Sequence, residues 1–150
     1  MTGPLEFDRQ IDADDLPWVE QANGVWFKPL RLAPQLDMWA NLLKVSAHGM
    51  LNRHRHHGPV EAWVIQGTWR YLEHDWVARP GSFVYEPEGD VHTLVVEGGE
   101  EMITLFIVRG AIDYLDESGD VVRTDTAQGK LDRYRAHCDE HGLPVQGVVF

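Results

Sequence analysis

Histidines are the residues of this chain best suited to do chemistry. The sequence contains eight, and His54 and His56 stand two residues apart in the block RHRHHGPVEAW. On a strand, residues i and i+2 point to the same face and lie roughly 6.5 Å apart along the chain. Two imidazoles placed in this way can bind one metal ion at bond lengths near 2 Å. The pair therefore indicates a metal site.

Two further residues extend this pattern. Glu61 follows a His-Gly-Pro turn at residues 57–59 and opens the next predicted strand, where a hairpin would bring it beside the pair. His92 begins another strand after the turn at residues 87–90. The predicted ligands of one divalent metal are His54, His56, His92 and Glu61.

Glu61 has two possible roles that the sequence does not separate. Three neutral imidazoles leave a divalent ion with a net charge of +2 and open positions, which suit binding of an enediolate or a β-diketonate by two oxygens. If Glu61 ligates, that charge falls and one position is lost. If Glu61 stays unbound nearby, it can serve as the catalytic general base that removes an acidic substrate proton.

The walls of a substrate pocket are predicted from the alternation of neighbouring strands. Met102, Thr104 and Phe106 share one face of their strand, and Trp63 shares the face of Glu61. An aromatic lining suits an aryl ketone or another mostly apolar small molecule. The predicted substrate-binding residues are Trp39, Trp63, Tyr85, Met102, Thr104 and Phe106.

The elements that must position these residues are mostly short strands. Runs rich in Val, Ile, Trp, Phe, Tyr and Thr alternate with Gly, Pro and Asn turns between residues 25 and 123, a pattern typical of a β-sandwich or barrel. One helix is predicted at Ala127–His141, with Thr126 as N-cap and Gly142 as its end. Residues 1–20, acidic and interrupted by prolines, are interpreted as an N-terminal arm, and residues 21–150 as one domain.

The charge and cysteine content of the chain exclude or disfavour several classes of function. The chain has 150 residues, 13 Lys and Arg against 24 Asp and Glu, and a formal net charge of −11. This acidic balance disfavours nucleic acids and anionic membranes as partners. A single cysteine excludes an internal disulfide, and no signal peptide or membrane-spanning run is recognisable, so a cytoplasmic protein is expected.

The histidine block and its neighbours resemble the two sequence motifs of the cupin family. Gly49, the His54–His56 pair, Glu61 and Gly67 are similar to the first motif. Gly81, Pro87, Gly89 and His92 are similar to the second, although Val96 stands where the family usually has asparagine. The resemblance implies a double-stranded β-helix, the jelly-roll barrel of cupins, with one divalent metal held inside it by the three histidines and Glu61.

A closer resemblance covers about residues 24–143. The segments GVWFKPLRL, YLEHDWVARPGSFVYEP, HTLVV and EMIT are similar to those of 2,4′-dihydroxyacetophenone dioxygenases, acetylacetone-cleaving cupins and the cupin domain of ChrR-type anti-sigma factors. The first two groups imply a non-haem Fe(II) dioxygenase that breaks a C–C bond beside a carbonyl of a small hydroxyketone or β-diketone. Several such enzymes use three histidines without the motif glutamate. Zinc or nickel is possible in place of iron in purified protein.

Other functions compatible with the sequence are a non-catalytic zinc-binding sensor or ligand-binding module like the ChrR cupin domain, and a sugar isomerase. A dioxygenase would take a small carbonyl compound and O2 as its partners. A homodimer or homotetramer is expected because exposed edge strands need covering.

Overall fold

The N-terminal segment packs on the barrel from the first residues that can be described. The computed structural model describes residues 8–150, so part of the predicted arm, residues 1–7, lies outside the described residues. A 3₁₀ turn at Ala13–Asp15 precedes Leu16, which is buried in the core. The Lys28 ammonium donates a hydrogen bond to the Ala13 carbonyl at 2.8 Å. The first strand begins at Val19, two residues before the predicted start of the domain.

Two antiparallel sheets build the body of the molecule, and one helix follows them. One sheet has six strands in the order β1-β2-β3-β9-β5-β7, and the other has five in the order β11-β10-β4-β8-β6. The elements are β1 (Val19–Ala22), β2 (Val25–Ala33), β3 (Met38–Val45), β4 (Met50–His56), β5 (Val60–Gln66), β6 (Thr68–Tyr71), β7 (Phe83–Glu86), β8 (Val91–Glu97), β9 (Met102–Arg109), β10 (Ile112–Leu115), β11 (Val121–Asp125) and α1 (Ala127–His141). The predicted β-barrel with one C-terminal helix is confirmed.

Strict alternation of burial shows which side chains enter the barrel. Along β9, every second side chain from Met102 to Val108 is buried. On β5 the buried side chains are those of Val60, Ala62 and Val64, so the residues between them point outward. On β7, Val84 and Glu86 face inward, and Glu86 lies opposite Val60 in the register of the two strands. Each of these strands therefore sends every second side chain into the interior and the others outward.

The C-terminal helix packs on the six-stranded sheet. Thr126 accepts a hydrogen bond from the Gly129 amide at 3.0 Å, and Gly142 ends the helix in the left-handed region, as predicted. Leu131, Tyr134 and Cys138 form the buried apolar stripe. Among residues 8–150, no helix is long and apolar enough to cross a membrane.

The connection from β4 to β5 carries the chain from one sheet to the other. At its centre, a Cβ added to Gly58 would overlap the carbonyl oxygen of Arg109. The amide of Arg109 donates to the Pro59 carbonyl at 3.3 Å, which holds the same two segments together. This crossing lies between His56, which faces inward, and Val60, which is also buried, so Gly58 helps to define the orientation of both strands.

Replacing Gly58 by alanine should destabilise the fold by about 1–3 kcal/mol, because backbone must move to admit the methyl group. Chemical denaturation measures the change in unfolding free energy. The matched control is Gly99→Ala, since a Cβ there meets nothing within 4 Å. Equal stabilities of the two variants would show that the close approach at Gly58 is unimportant.

Candidate metal centre and cavity

Three histidines from the five-stranded sheet converge inside the barrel. His54 and His56 come from β4, and His92 comes from the neighbouring strand β8, where it lies opposite His54. All three are buried, and their ring centroids lie 4.7–4.9 Å apart. The structure thus brings together the three histidines that the sequence singled out.

Hydrogen bonds on the far side of two rings orient them. The Nδ1 of His54 lies 2.7 Å from the Asn52 carbonyl oxygen, and the Nδ1 of His92 lies 2.9 Å from the Asp90 carboxylate. Since both partners are acceptors, Nδ1 carries the proton in each ring and Nε2 keeps a free lone pair. Such outer partners are typical of histidines that ligate metals.

Burial keeps the three imidazoles neutral. The cost of desolvating a cation lowers the pKa of His54 to about 4, and that of His56 and of His92 to about 2. Mutual repulsion adds to this effect, because charges on the neighbouring histidines would lower the pKa of His56 further. At neutral pH all three therefore present uncharged nitrogen donors, the form in which histidine binds a metal.

The arrangement fits a divalent metal ion. The Nε2 atoms of His56 and His92 are 3.0 Å apart. Two nitrogens bound at right angles to one ion at about 2.0–2.1 Å would lie about 3 Å from each other. Ligand-type atoms of His54, His56 and His92 all lie within 4.8 Å of one another. The three residues can therefore hold one ion and leave further coordination positions open.

A buried carboxyl group that the sequence analysis missed stands beside the histidines. Glu86 on β7 is only 1% exposed, and its Oε2 lies 3.3 Å from the His56 Nε2 and 3.9 Å from that of His92. The Tyr71 hydroxyl donates to the other oxygen, Oε1. Burial, reinforced by the nearby Asp90 charge, raises the pKa of Glu86 well above its usual range. The signal available in the sequence was the alternation of β7, which pairs Glu86 with buried Val84.

Glu61 does not join the histidines, so its predicted place in the site is corrected. Its side chain is 39% exposed on the outer face of β5, where Arg109 lies 3.2 Å from its carboxylate. The physical reason is the alternation of this strand, because Val60 and Ala62 occupy the inward positions on either side of it. An exposed carboxylate paired with arginine is neither a ligand nor a base for chemistry inside the barrel.

A small cavity adjoins the histidines. The volume open to the centre of a water-sized sphere is about 40 Å³, which exceeds the space of one water molecule. Most of the lining is apolar, and a few polar groups are spread around it. The lining residues are Gln21, Trp39, Asn41, Leu43, Leu51, His54, His56, Tyr71, Phe106, Val108, Ile112, Tyr114 and Lys130.

The six predicted substrate-binding residues divide into three groups. Trp39 and Phe106 line the cavity. Met102 and Thr104 face inward as expected, but they belong to the packed core, where the Trp69 indole donates to the Thr104 hydroxyl at 2.9 Å. The expectation for the remaining pair is corrected, because Trp63 and Tyr85 are 49% and 60% exposed on the outer faces of β5 and β7. They lie on the same outer face as Glu61.

Comparison with known proteins places this architecture among the cupins. The model of the ChrR cupin-like domain matches residues 7–113, and a search of curated proteins found no match. The structure of an RmlC-like cupin protein from Ralstonia eutropha JMP134 is 34% identical, with 95% of this chain and 94% of that chain covered and a TM-score of 0.89.

Two more distant structures share the fold. Acetylacetone dioxygenase from Acinetobacter johnsonii is 16% identical over 91% of this chain and 95% of its own, with a TM-score of 0.75. The anti-sigma factor ChrR in its complex with SigE, from Rhodobacter sphaeroides, is 23% identical over 65% of this chain and 50% of that chain, with a TM-score of 0.54. The predicted cupin fold is confirmed, and the chain belongs to the ChrR cupin-like family.

Proposed function

We propose that this protein is a non-haem Fe(II) dioxygenase that cleaves the C–C bond beside a carbonyl group in a small hydroxyketone or β-diketone. The observation that carries the proposal is the convergence of three neutral, buried imidazoles on one wall of a small, mostly apolar cavity. The shared fold of acetylacetone dioxygenase supports the same substrate class. Zinc or nickel can replace iron in purified protein, because such ligands bind these ions at least as tightly.

The metal would be held by His54, His56 and His92. A divalent ion there supplies positive charge for a substrate enolate and an open position for O2. Both oxygen atoms of O2 end in the two carbonyl products, so the overall reaction needs no separate reductant. The apolar walls, which include Trp39 and Phe106, keep bulk water from the reacting carbon atoms.

Glu86 is the general base of this proposal, in place of Glu61. Tyr71 engages Oε1, which leaves Oε2 turned toward the histidines. In the metal-free protein, burial raises the pKa of this carboxyl group, whereas a cation held by the histidines would favour its ionised form. The ionised Oε2 would then accept the acidic C–H or O–H proton of a bound substrate and hold it until product forms.

The proposal includes self-association and a cytoplasmic setting. Trp63, Ile65, Phe83 and Tyr85 project from the outer face of β5 and β7, each about half exposed or more. This apolar patch supports the expected homodimer or homotetramer, since contiguous apolar surface of this kind is typical of interfaces between subunits. Cys138 is free and buried, which agrees with a reducing compartment.

The first test concerns the metal. His56→Ala should lose bound metal and also abolish substrate-dependent O2 uptake, because it removes one of three ligands. Elemental analysis measures the first effect, and an oxygen electrode with anaerobically Fe(II)-loaded protein measures the second, using acetylacetone and 2,4′-dihydroxyacetophenone as substrates. The matched control is His57→Ala, since His57 turns away to Asp113, 2.5 Å from its Nε2, and should keep both properties.

Three outcomes of this experiment separate the hypotheses. O2 uptake that depends on His56 supports the dioxygenase. One tightly held zinc ion and no O2 uptake with any hydroxyketone or β-diketone would instead favour the ligand-binding module known from ChrR. Metal retention in the His56→Ala variant would contradict the proposed centre itself.

The second test distinguishes the two glutamates. Glu86→Gln should lower kcat for O2 uptake by about 10²–10⁴, the usual contribution of a general base, whereas Glu61→Gln should change kcat little. The iron content of the Glu86→Gln variant should stay that of the wild type. Lost iron would identify Glu86 as a ligand, and an unchanged kcat would remove it from the mechanism.

The buried carboxyl group of Glu86 should also influence stability in the metal-free protein. The pKa of Glu86 is raised on folding, so the folded state keeps a proton that the unfolded chain releases above about pH 4.5. The contribution of Glu86 to the free energy of unfolding therefore decreases as pH rises. The glutamine of the Glu86→Gln variant does not ionise, so this variant lacks that pH dependence. Its stability relative to the wild type should therefore increase as pH rises above about 4.5, measured by urea denaturation.

The three histidines have lowered pKa values, so their own contribution weakens as pH falls. This contribution is shared by both proteins and cancels in their difference. A stability difference that does not vary with pH would show that Glu86 is ionised in the folded, metal-free protein.

A further inference from the structure

A lysine lies at the cavity where a solvent-facing helix residue would be expected. Lys130 stands one turn into α1, yet it is only 6% exposed and belongs to the cavity lining. Its Nζ lies 4.2 Å from the centre of the Phe27 ring and 5.8 Å from that of Trp39. Buried lysines are rare unless their charge is paired or used.

The charge of Lys130 is only partly balanced by its neighbours. The nearest carboxylate is that of Asp125, whose Oδ2 lies 3.9 Å from Nζ, beyond hydrogen-bond distance. Asp125 also pairs with Arg123, at 3.2 Å through its other oxygen. Arg133 lies close enough to lower the pKa of Lys130, together with Arg123. Lys130 and Arg123 thus share the Asp125 carboxylate. This local excess of positive charge contrasts with the net charge of −11 of the whole chain.

Polar groups beside Lys130 continue along the cavity toward the histidines. Its Nζ donates to the Gln21 side-chain oxygen, and the Gln21 amide donates to the Tyr114 hydroxyl at 3.1 Å. The Tyr114 ring lies 5.4 Å from that of His54. Lys130, Gln21, Tyr114 and His54 all line the same cavity.

Two observations show unused binding capacity in this polar wall. Within residues 8–150, the Lys130 ammonium group donates one hydrogen bond, although such a group has three donors. Asn41, also buried and lining the cavity, has a side-chain oxygen without a hydrogen-bond partner among the described residues. Buried polar atoms are costly when unpaired, so both are expected to meet a ligand.

We propose that Lys130 determines substrate specificity by binding an anionic oxygen group, such as a carboxylate, of a small oxo acid whose carbonyl end lies at the three histidines. This inference rests on the proposed function and extends its substrate class from hydroxyketones and β-diketones to the related oxo acids. Desolvation lowers the pKa of Lys130 to about 8, so the side chain remains mostly cationic at neutral pH. The walls of Trp39 and Phe27 shield its charge from water and strengthen the attraction for an anion.

The test compares two molecules of nearly the same shape, acetoacetate and acetylacetone, of which the first carries a carboxylate where the second carries an acetyl group. Calorimetry at about pH 7 on Zn²⁺-loaded protein measures both affinities without O2 consumption. The wild type should prefer acetoacetate. Lys130→Met should reduce that preference about tenfold or more, the usual effect of losing a hydrogen bond to a charged group.

The matched control is Lys28→Met. Lys28 is also nearly buried, but its Nζ binds the Ala13 carbonyl and lies outside the cavity lining, so the preference should stay that of the wild type. The Asp125→Asn variant should shift the preference in the direction opposite to that of Lys130→Met. Removal of the shared carboxylate should increase the preference for acetoacetate, and this variant decides the question if Lys130→Met does not fold.

An unchanged preference in folded Lys130→Met, or in Asp125→Asn, would overturn the role of Lys130. Failure of the proposed function is recognised separately, because absent O2 uptake by the Fe(II)-loaded wild type would reject the dioxygenase and leave the measured affinities valid. Conversely, O2 uptake with no dependence of affinity on Lys130 would keep the dioxygenase and reject this specificity.

Discussion

The burial of three imidazoles at one point, all of them uncharged, is the constraint on which the rest of the site depends. Desolvation and mutual repulsion make protonation of any of them costly. The groups around the three rings are compatible with their neutral form. Acceptors fix the protons of His54 and His92 on Nδ1, and burial raises the pKa of the neighbouring carboxyl group of Glu86, which favours its neutral form. The metal-free site therefore presents neutral imidazoles beside the Asp90 carboxylate, an environment that favours binding of a cation.

Single strands of the barrel contribute side chains both to the packed core and to the cavity. On β9, Met102 and Thr104 belong to the packed core, whereas Phe106, further along the same face, lines the cavity. On β3, Trp39 and Asn41 both face inward. Trp39 supplies part of the apolar wall, and Asn41 supplies an amide oxygen without a hydrogen-bond partner among the described residues. A rigid sheet therefore positions the site, which favours precise geometry over mobility.

The C-terminal helix contributes a residue to the cavity as well as apolar side chains to the core. Its apolar stripe packs on the sheet, and the same buried face brings Lys130 to the cavity. Lys130 lines the same cavity as His54 and His56 of β4. In the proposed function, a small substrate would be recognised both by the charge of Lys130 and by a metal ion held at the histidines.

Much of this molecule was determined by its sequence alone. The alternating runs and turn residues predicted the strands, capping by Thr126 and the following apolar spacing predicted the helix, and the spacing of His54, His56 and His92 predicted their convergence. Periodicity of two, however, defines two faces of a strand without stating which one is inside. Only the tertiary structure decided that Val60 and Ala62 fill the interior, which turns Glu61 and Trp63 outward and brings Glu86 from the paired strand β7 to the histidines. The same holds for Lys130, because its burial depends on where the helix docks against Gln21 and Trp39, contacts between residues far apart in the chain.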